Sequence, residues 1–288
     1  MEYINKQTTK QKWQAYKKSP TSLLTLIMVV LSAIITVGVL LLLLAYILIK
    51  GIPNLSPQLF AWEYNSENVS MMPAIINTII ITLLSLVIAV PLGIFSAIYL
   101  VEYAKRGNKF VSIVRITTET LSGIPSIVYG LFGFLMFSVY LGLGYSILGG
   151  ALTLAIMILP LIIRTTEEAL KSVPDTYREG SFGLGAGRLR TVFKIVLPSA
   201  VPGILAGVIL GIGRIVGETA ALIYTAGTIP DVAKSAMDSG RTLSVHMYAL
   251  LSEGLYTDAA YATAAILLIM VIGINALSAA VAKRLTKR

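Results

Sequence analysis

The chain has 288 residues, 56% hydrophobic and 13% charged, with a formal net charge of +9 and a mean hydropathy of +0.82. A water-soluble domain of this length exposes far more charge, so a soluble enzyme or a nucleic-acid-binding domain is excluded and the solvent must be lipid. Cysteine is absent, which removes disulfide and thiol chemistry.

Six apolar stretches, about 22–49, 73–101, 111–141, 147–169, 199–224 and 259–282, are each long enough for a bilayer core of about 30 Å, which takes roughly 20 residues of helix. They are continuously apolar rather than alternating, so helices rather than barrel strands are expected. The expected fold class is all-α integral membrane, with six transmembrane helices.

Residues 1–20 are polar and basic, end at Pro20, and read as a flexible cytoplasmic tail. Residues 21–69 hold the first transmembrane helix and an external segment. The first apolar run is too long for a signal peptide and no small-residue cleavage site follows it, so it is expected to be retained. The external part, with Pro53, Pro57, Trp62, Glu63 and Glu67, is expected to carry a short surface helix. A second transmembrane region then spans 70–284. In its third helix Arg115 and Glu119 stand four apart and are expected to pair structurally. The link "GLGYS" at 142–146 is short enough to make the third and fourth helices antiparallel neighbours. At the inner end of the fourth helix Arg164 reads either as a residue of an exit path or as a headgroup anchor.

The inner connection, about 170–198, is basic and glycine-rich: "REGSFGLGAGRLRTVFKIVLP". It is no phosphate cradle, because no Lys follows Gly187 and no strand precedes the glycines. The chain is therefore expected to have no nucleotide site of its own. Either the glycines merely turn a loop, or Gly185 supplies backbone freedom between two short helical pieces, with Pro198 starting the next helix.

That next helix contains "GRIVGETAAL", where Arg214 and Glu218 are the only charges between Ala200 and Leu222. At 1.5 Å per residue Arg214 lies about 24 Å beyond Pro198, past the membrane midplane. A central Arg costs roughly 2.5–3.5 kcal/mol on insertion scales. Glu218, one helical turn on, is expected to share its face and offset part of that cost. The pair either fixes packing or faces a pathway, where a planar bidentate cation suits a tetrahedral oxyanion.

The outer connection, about 225–258, includes an amphipathic helix within "RTLSVHMYALLSEG". It is expected to serve docking or gating. His246, the only histidine, is expected at the surface, and no metal set assembles around it. Nineteen of the 23 Lys and Arg fall on one side of the six spans, which makes that side cytoplasmic and puts both termini there.

Glu179, Gly180, Ser181, Gly185, Ile195, Leu197 and Pro198 have the spacing of the EAA loop and resemble that of binding-protein-dependent ABC importer permeases, with Gly-Ser in place of Ala-Ala. "GRIVGETAAL", "ETLSGIPSIVYGLFG" (from Glu119) and "LIIRTTEEAL" (161–170) resemble the phosphate-specific transport permeases of bacteria, of the PstA/PstC type and nearer PstA in length and layout. The resemblance, running from about residue 70 to the C-terminus, implies a MetI-like fold. It implies a PstC-like permease partner, an ATPase dimer, an extracytoplasmic phosphate-binding protein and no cofactor. It also implies that the EAA residues couple to the ATPase and that Arg164 and Arg214 lie on the phosphate path. The alternatives are a permease for sulfate, molybdate or phosphonate, an ion-coupled secondary transporter and a membrane enzyme.

Overall fold

The computed structural model describes residues 19–105 and 107–286; the tail read as flexible lies almost wholly outside them. All regular structure among the described residues is helical. Contacts divide the chain after Lys50. The first unit is dominated by α1 (Pro20–Gly51), whose apolar run meets no charge before Lys50.

In the second unit the expected external surface helix is two 3₁₀ turns, Ile52–Asn54 and Pro57–Phe60, each with a proline in its first turn. α2 (Met72–Ile98) follows and continues through a π-helical turn, Tyr99–Tyr103. The stretch expected as one helix over 111–141 is broken. α3 (Lys109–Ser122) and α4 (Ser126–Gly133, extended by a π-helical turn to Tyr140) meet at 105°. The cause is local: Pro125 lacks an N–H and drives Ile124 out of the helical region, while Gly123 ends α3.

α5 (Ile147–Lys171) begins at Ser146, whose side chain caps the Gly149 N–H at 3.1 Å. α6 (Asp175–Gly183) and α7 (Arg188–Thr191) form the inner connection. α7 runs on through a π-helical turn, Val192–Val196, into α8 (Leu197–Val216). The fifth span thus begins at Arg188, earlier than expected, while Pro198 sits in the first turn of α8 as expected. α9 (Ala220–Thr225), α10 (Leu243–Glu253) and α11 (Thr257–Thr286) complete the chain. Among the described residues five helical stretches are long and apolar enough to cross a membrane, and six if the bent α3–α4 pair is one span.

α5 is the axis of the second unit. In its most apolar window 67% is buried, against 6% in α11. Ile147, Leu154, Ile158 and Ile162 meet Ile81 of α2, Ile215 of α8 and Leu222 of α9. Without a hydrophobic force between helices in lipid, close approach needs small side chains. α8 supplies Gly203, Gly207 and Gly211 at four-residue intervals. A Cβ at Gly203 would strike Ala169, one at Gly207 would strike Thr165, and Gly211 lies against Ile162 and Ile158. The order of these contacts makes α8 antiparallel to α5. Gly133 of α4 lies against Thr153 and Gly149 of α5 against Phe137, so α4 and α5 are antiparallel neighbours, as the short link requires.

Polar residues in α2 fasten the outer connection. Asn77, fully buried, donates to the carbonyls of Asp231 and Arg241 and accepts from the Ala233 N–H at 3.0 Å. Thr78 accepts the Leu243 N–H at 2.8 Å. The same connection satisfies the start of α5, where the Ile147 and Leu148 N–H groups reach the Asp238 and Ala236 carbonyls.

Candidate functional site

α8 ends at Val216, two residues after Arg214. The Gly217 N–H bonds back to Gly213 and the Glu218 N–H to Ile215, after which the chain turns and restarts as α9. Glu218 therefore does not share a continuous helix with Arg214, contrary to the sequence expectation. Its carboxylate instead accepts the Ala221 N–H at 3.1 Å, capping the start of α9, and its carbonyl accepts from Ser244 of α10. Glu218 is 8% exposed and Arg214 is half-buried. Among the described residues the two form no ion pair; the pairs within 4.0 Å involve Arg115, Arg164, Lys171 and Arg178. A glycine ahead of the glutamate was the sequence signal for this break. Arg214 gains from the carbonyl end of α8. Tyr129 of α4 lies close enough to feel its charge, and Asn275 of α11 faces the adjacent Gly213.

Toward the other end of α5, Arg164 is more than half exposed and bonds Glu168 at 3.2 Å. Arg115 does not pair with Glu119. It reaches Glu167 across the α3–α5 contact, and Lys171 holds the same carboxylate oxygen at 2.6 Å. A residue four positions away in sequence lost to one brought close by packing, because Glu167 is 8% exposed and needs two cations to be buried. Arg115, Glu119, Arg164, Glu167, Glu168 and Lys171 line a cavity of about 180 Å³, so Arg164 sits in a cluster of three cations rather than alone.

The inner connection is two short helices joined at a left-handed residue, Gly185, with φ +80°. The Ser181 hydroxyl meets that of Thr191 at 2.8 Å, closing α6 onto α7. Ser181 is buried and so points into this hairpin, while Gly180 faces open space. Glu179, exposed, lies on α6 beside them. Ile195 lies in the π-helical turn, and Leu197 and Pro198 open α8. The hairpin's rim is apolar and bare: Leu184 is 90% exposed and Leu189 66%. Arg178 anchors it. Its guanidinium donates to Glu102 from Nη2 at 2.7 Å and from Nε at 3.2 Å, and to the carbonyls of Leu170 and Val173. Its side chain is 14% exposed, and 76 residues separate it from Glu102, a pairing that sequence spacing does not signal.

A further cluster lies under the outer segment. His246, expected at the surface, is fully buried, and Arg241 is 4% exposed. The Tyr64 ring covers the flat face of the Arg241 guanidinium at 4.5 Å and meets His246 edge-on at 6.2 Å. Burial, and then the charge of Arg241, push the His246 imidazole down to about 3, while the Val69 backbone acts weakly in the other sense. The ring is neutral throughout the physiological range.

The chain matches the family described as binding-protein-dependent transport system inner membrane component over residues 89–288. It is 36% identical to a protein named "Probable ABC transporter permease protein YqgI" from Bacillus subtilis, over 85% of this chain and 89% of that one. It is 35% identical to "Phosphate transport system permease protein PstA" of Mycobacterium leprae, over 75% of this chain and 71% of that one. Its fold matches a chain of a bacterial alginate ABC transporter in complex with an alginate-pentasaccharide-bound periplasmic protein, with TM-score 0.69 and 17% identity over 94% of this chain and 98% of that one. A chain of the inward-facing MetNI methionine ABC transporter aligns with TM-score 0.58 and 20% identity over 75% of this chain and 94% of that one. The chain, matched by the family model over residues 89–288 and by relatives at 35–36% identity, belongs to the binding-protein-dependent transport system inner membrane component family.

Proposed function

We propose that this chain is a permease subunit of an ABC importer that carries inorganic phosphate across the cell membrane, driven by ATP hydrolysis on separate subunits. The observation that carries the reading is Arg214, a half-buried guanidinium in the last turn of the apolar α8 with no carboxylate paired to it among the described residues. A lone cation costs free energy in lipid and is retained where an anion passes. The bacterial relatives named as phosphate permeases support phosphate as that anion. Arg164, paired with Glu168 in the mixed-charge cluster at the inner end of α5, meets the anion on its way out; Glu218 fixes the outer end of the path by capping α9.

The partners are a PstC-like permease, an ATPase dimer and an extracytoplasmic phosphate-binding protein, with both termini cytoplasmic. The α6–α7 hairpin suits the ATPase contact because its apolar rim is unpartnered within the chain and its tip turns at Gly185. Closure of the ATPase pair pushes the hairpin, and Arg178 passes the displacement to Glu102 at the end of α2. This chain performs no covalent step: it binds, orients and alternates access.

The test is uptake of radiolabelled phosphate by the reconstituted complex, competed with sulfate, molybdate and phosphonate. ATP-dependent uptake that only unlabelled phosphate suppresses is expected. Suppression by sulfate or molybdate alone gives the cargo to another oxyanion.

A further inference from the structure

Arg178 and Arg241 use the same chemistry with opposite outcomes. In both, Nε and Nη2 form the guanidinium edge whose two parallel N–H bonds fit a pair of oxygens. In Arg178 that edge is filled by the Glu102 carboxylate. In Arg241 neither Nε nor Nη2 has an acceptor among the described residues, although the side chain is 4% exposed. Neither ring nitrogen of buried His246 meets hydrogen-bond geometry among the described residues, although the Val69 backbone lies near enough to act on the ring. Two buried polar side chains with unmet donors on adjoining turns are rare in a folded protein.

We propose that Arg241 is an oxyanion-binding residue on the outer face, a first station for the anion before Arg214; the identity of that anion as phosphate rests on the cargo proposed above. The Nε–Nη2 edge of Arg241 takes two oxygens of the anion, and neutral His246 donates one N–H without adding charge. Tyr64 is the cover. Its ring lies on the guanidinium face, and it belongs to the cap 61–71, held shut by Ser70 bonding the Leu59 and Ala61 carbonyls. Within that cap Val69 sits at φ +42°, a conformation a β-branched residue adopts only under constraint. A cap closed on a strained residue is built to reopen. With the Tyr64 ring centroid 4.5 Å from the guanidinium and Arg241 4% exposed, nothing enters while the cap is closed; once it lifts, the recessed planar guanidinium edge suits a small free anion over an acidic side chain tethered to another protein.

The experiment is equilibrium binding of labelled inorganic phosphate to the complete complex in nanodiscs, without ATP and without binding protein. Wild type should bind saturably. Arg241→Gln should weaken binding at least tenfold, and Arg241→Lys should not restore it, because a point charge lacks the edge. Tyr64→Ala, which leaves Arg241 intact, should still bind but exchange phosphate faster. The proposal is overturned if assembled Arg241→Gln complex binds phosphate like wild type or if wild type does not bind any oxyanion. Should Arg241→Gln fail to assemble, unchanged exchange in Tyr64→Ala overturns it. If the wild-type complex binds sulfate and not phosphate, with the same dependence on Arg241, the station stands and the phosphate reading fails.

Discussion

Arg214 and Glu218 show how one backbone break reassigns two side chains. Read as a continuous helix, four residues place them on one face. The helix instead ends at Val216, and the carboxylate turns to the Ala221 N–H. Arg214 is left without a paired carboxylate among the described residues, as the proposed anion path requires. Arg214→Lys should therefore leave the complex assembled but cut phosphate uptake about tenfold or more, because the compact ammonium cannot present parallel donors. Uptake at the wild-type rate would show that the charge alone suffices.

At the scale of elements, packing rather than propensity sets α8. Glycine at 203, 207 and 211 is a poor choice for helix stability but brings the backbone against α5. A Cβ at Gly207 would overlap the Thr165 side chain. Gly207→Leu should force the two helices apart at a cost of about 1–3 kcal/mol or more. Lower yield of folded complex and a lowered melting temperature check this, and a wild-type melting curve would refute the contact. The π-helical turn before α8 has the same character: it keeps a proline inside a continuous span that the sequence alone would end.

Across the whole molecule, an ion pair spanning 76 residues links the inner hairpin to α2. With side chains 14% and 9% exposed, Arg178 and Glu102 stand mostly out of water. Glu102→Gln leaves the guanidinium short of its counter-charge, a loss of about 3 kcal/mol when such a pair is buried. The expected outcome is ATP hydrolysis that continues while phosphate uptake falls. Equal loss of both activities would instead mean that the pair only holds the fold together.

The amino-acid order by itself determined the membrane class, the number and approximate position of the spans, and the inner hairpin with its turn at Gly185. Those depend on apolar run length and on glycine or proline chemistry within a few residues. The tertiary structure alone decided that Arg115 meets Glu167 instead of Glu119, that Arg178 is an anchor, and that His246 is buried beside Arg241 under Tyr64. Each of these joins residues dozens or hundreds of positions apart. A charge in lipid or under a cap takes whichever partner the packed helices bring within reach, and sequence spacing records only the partners on its own helix.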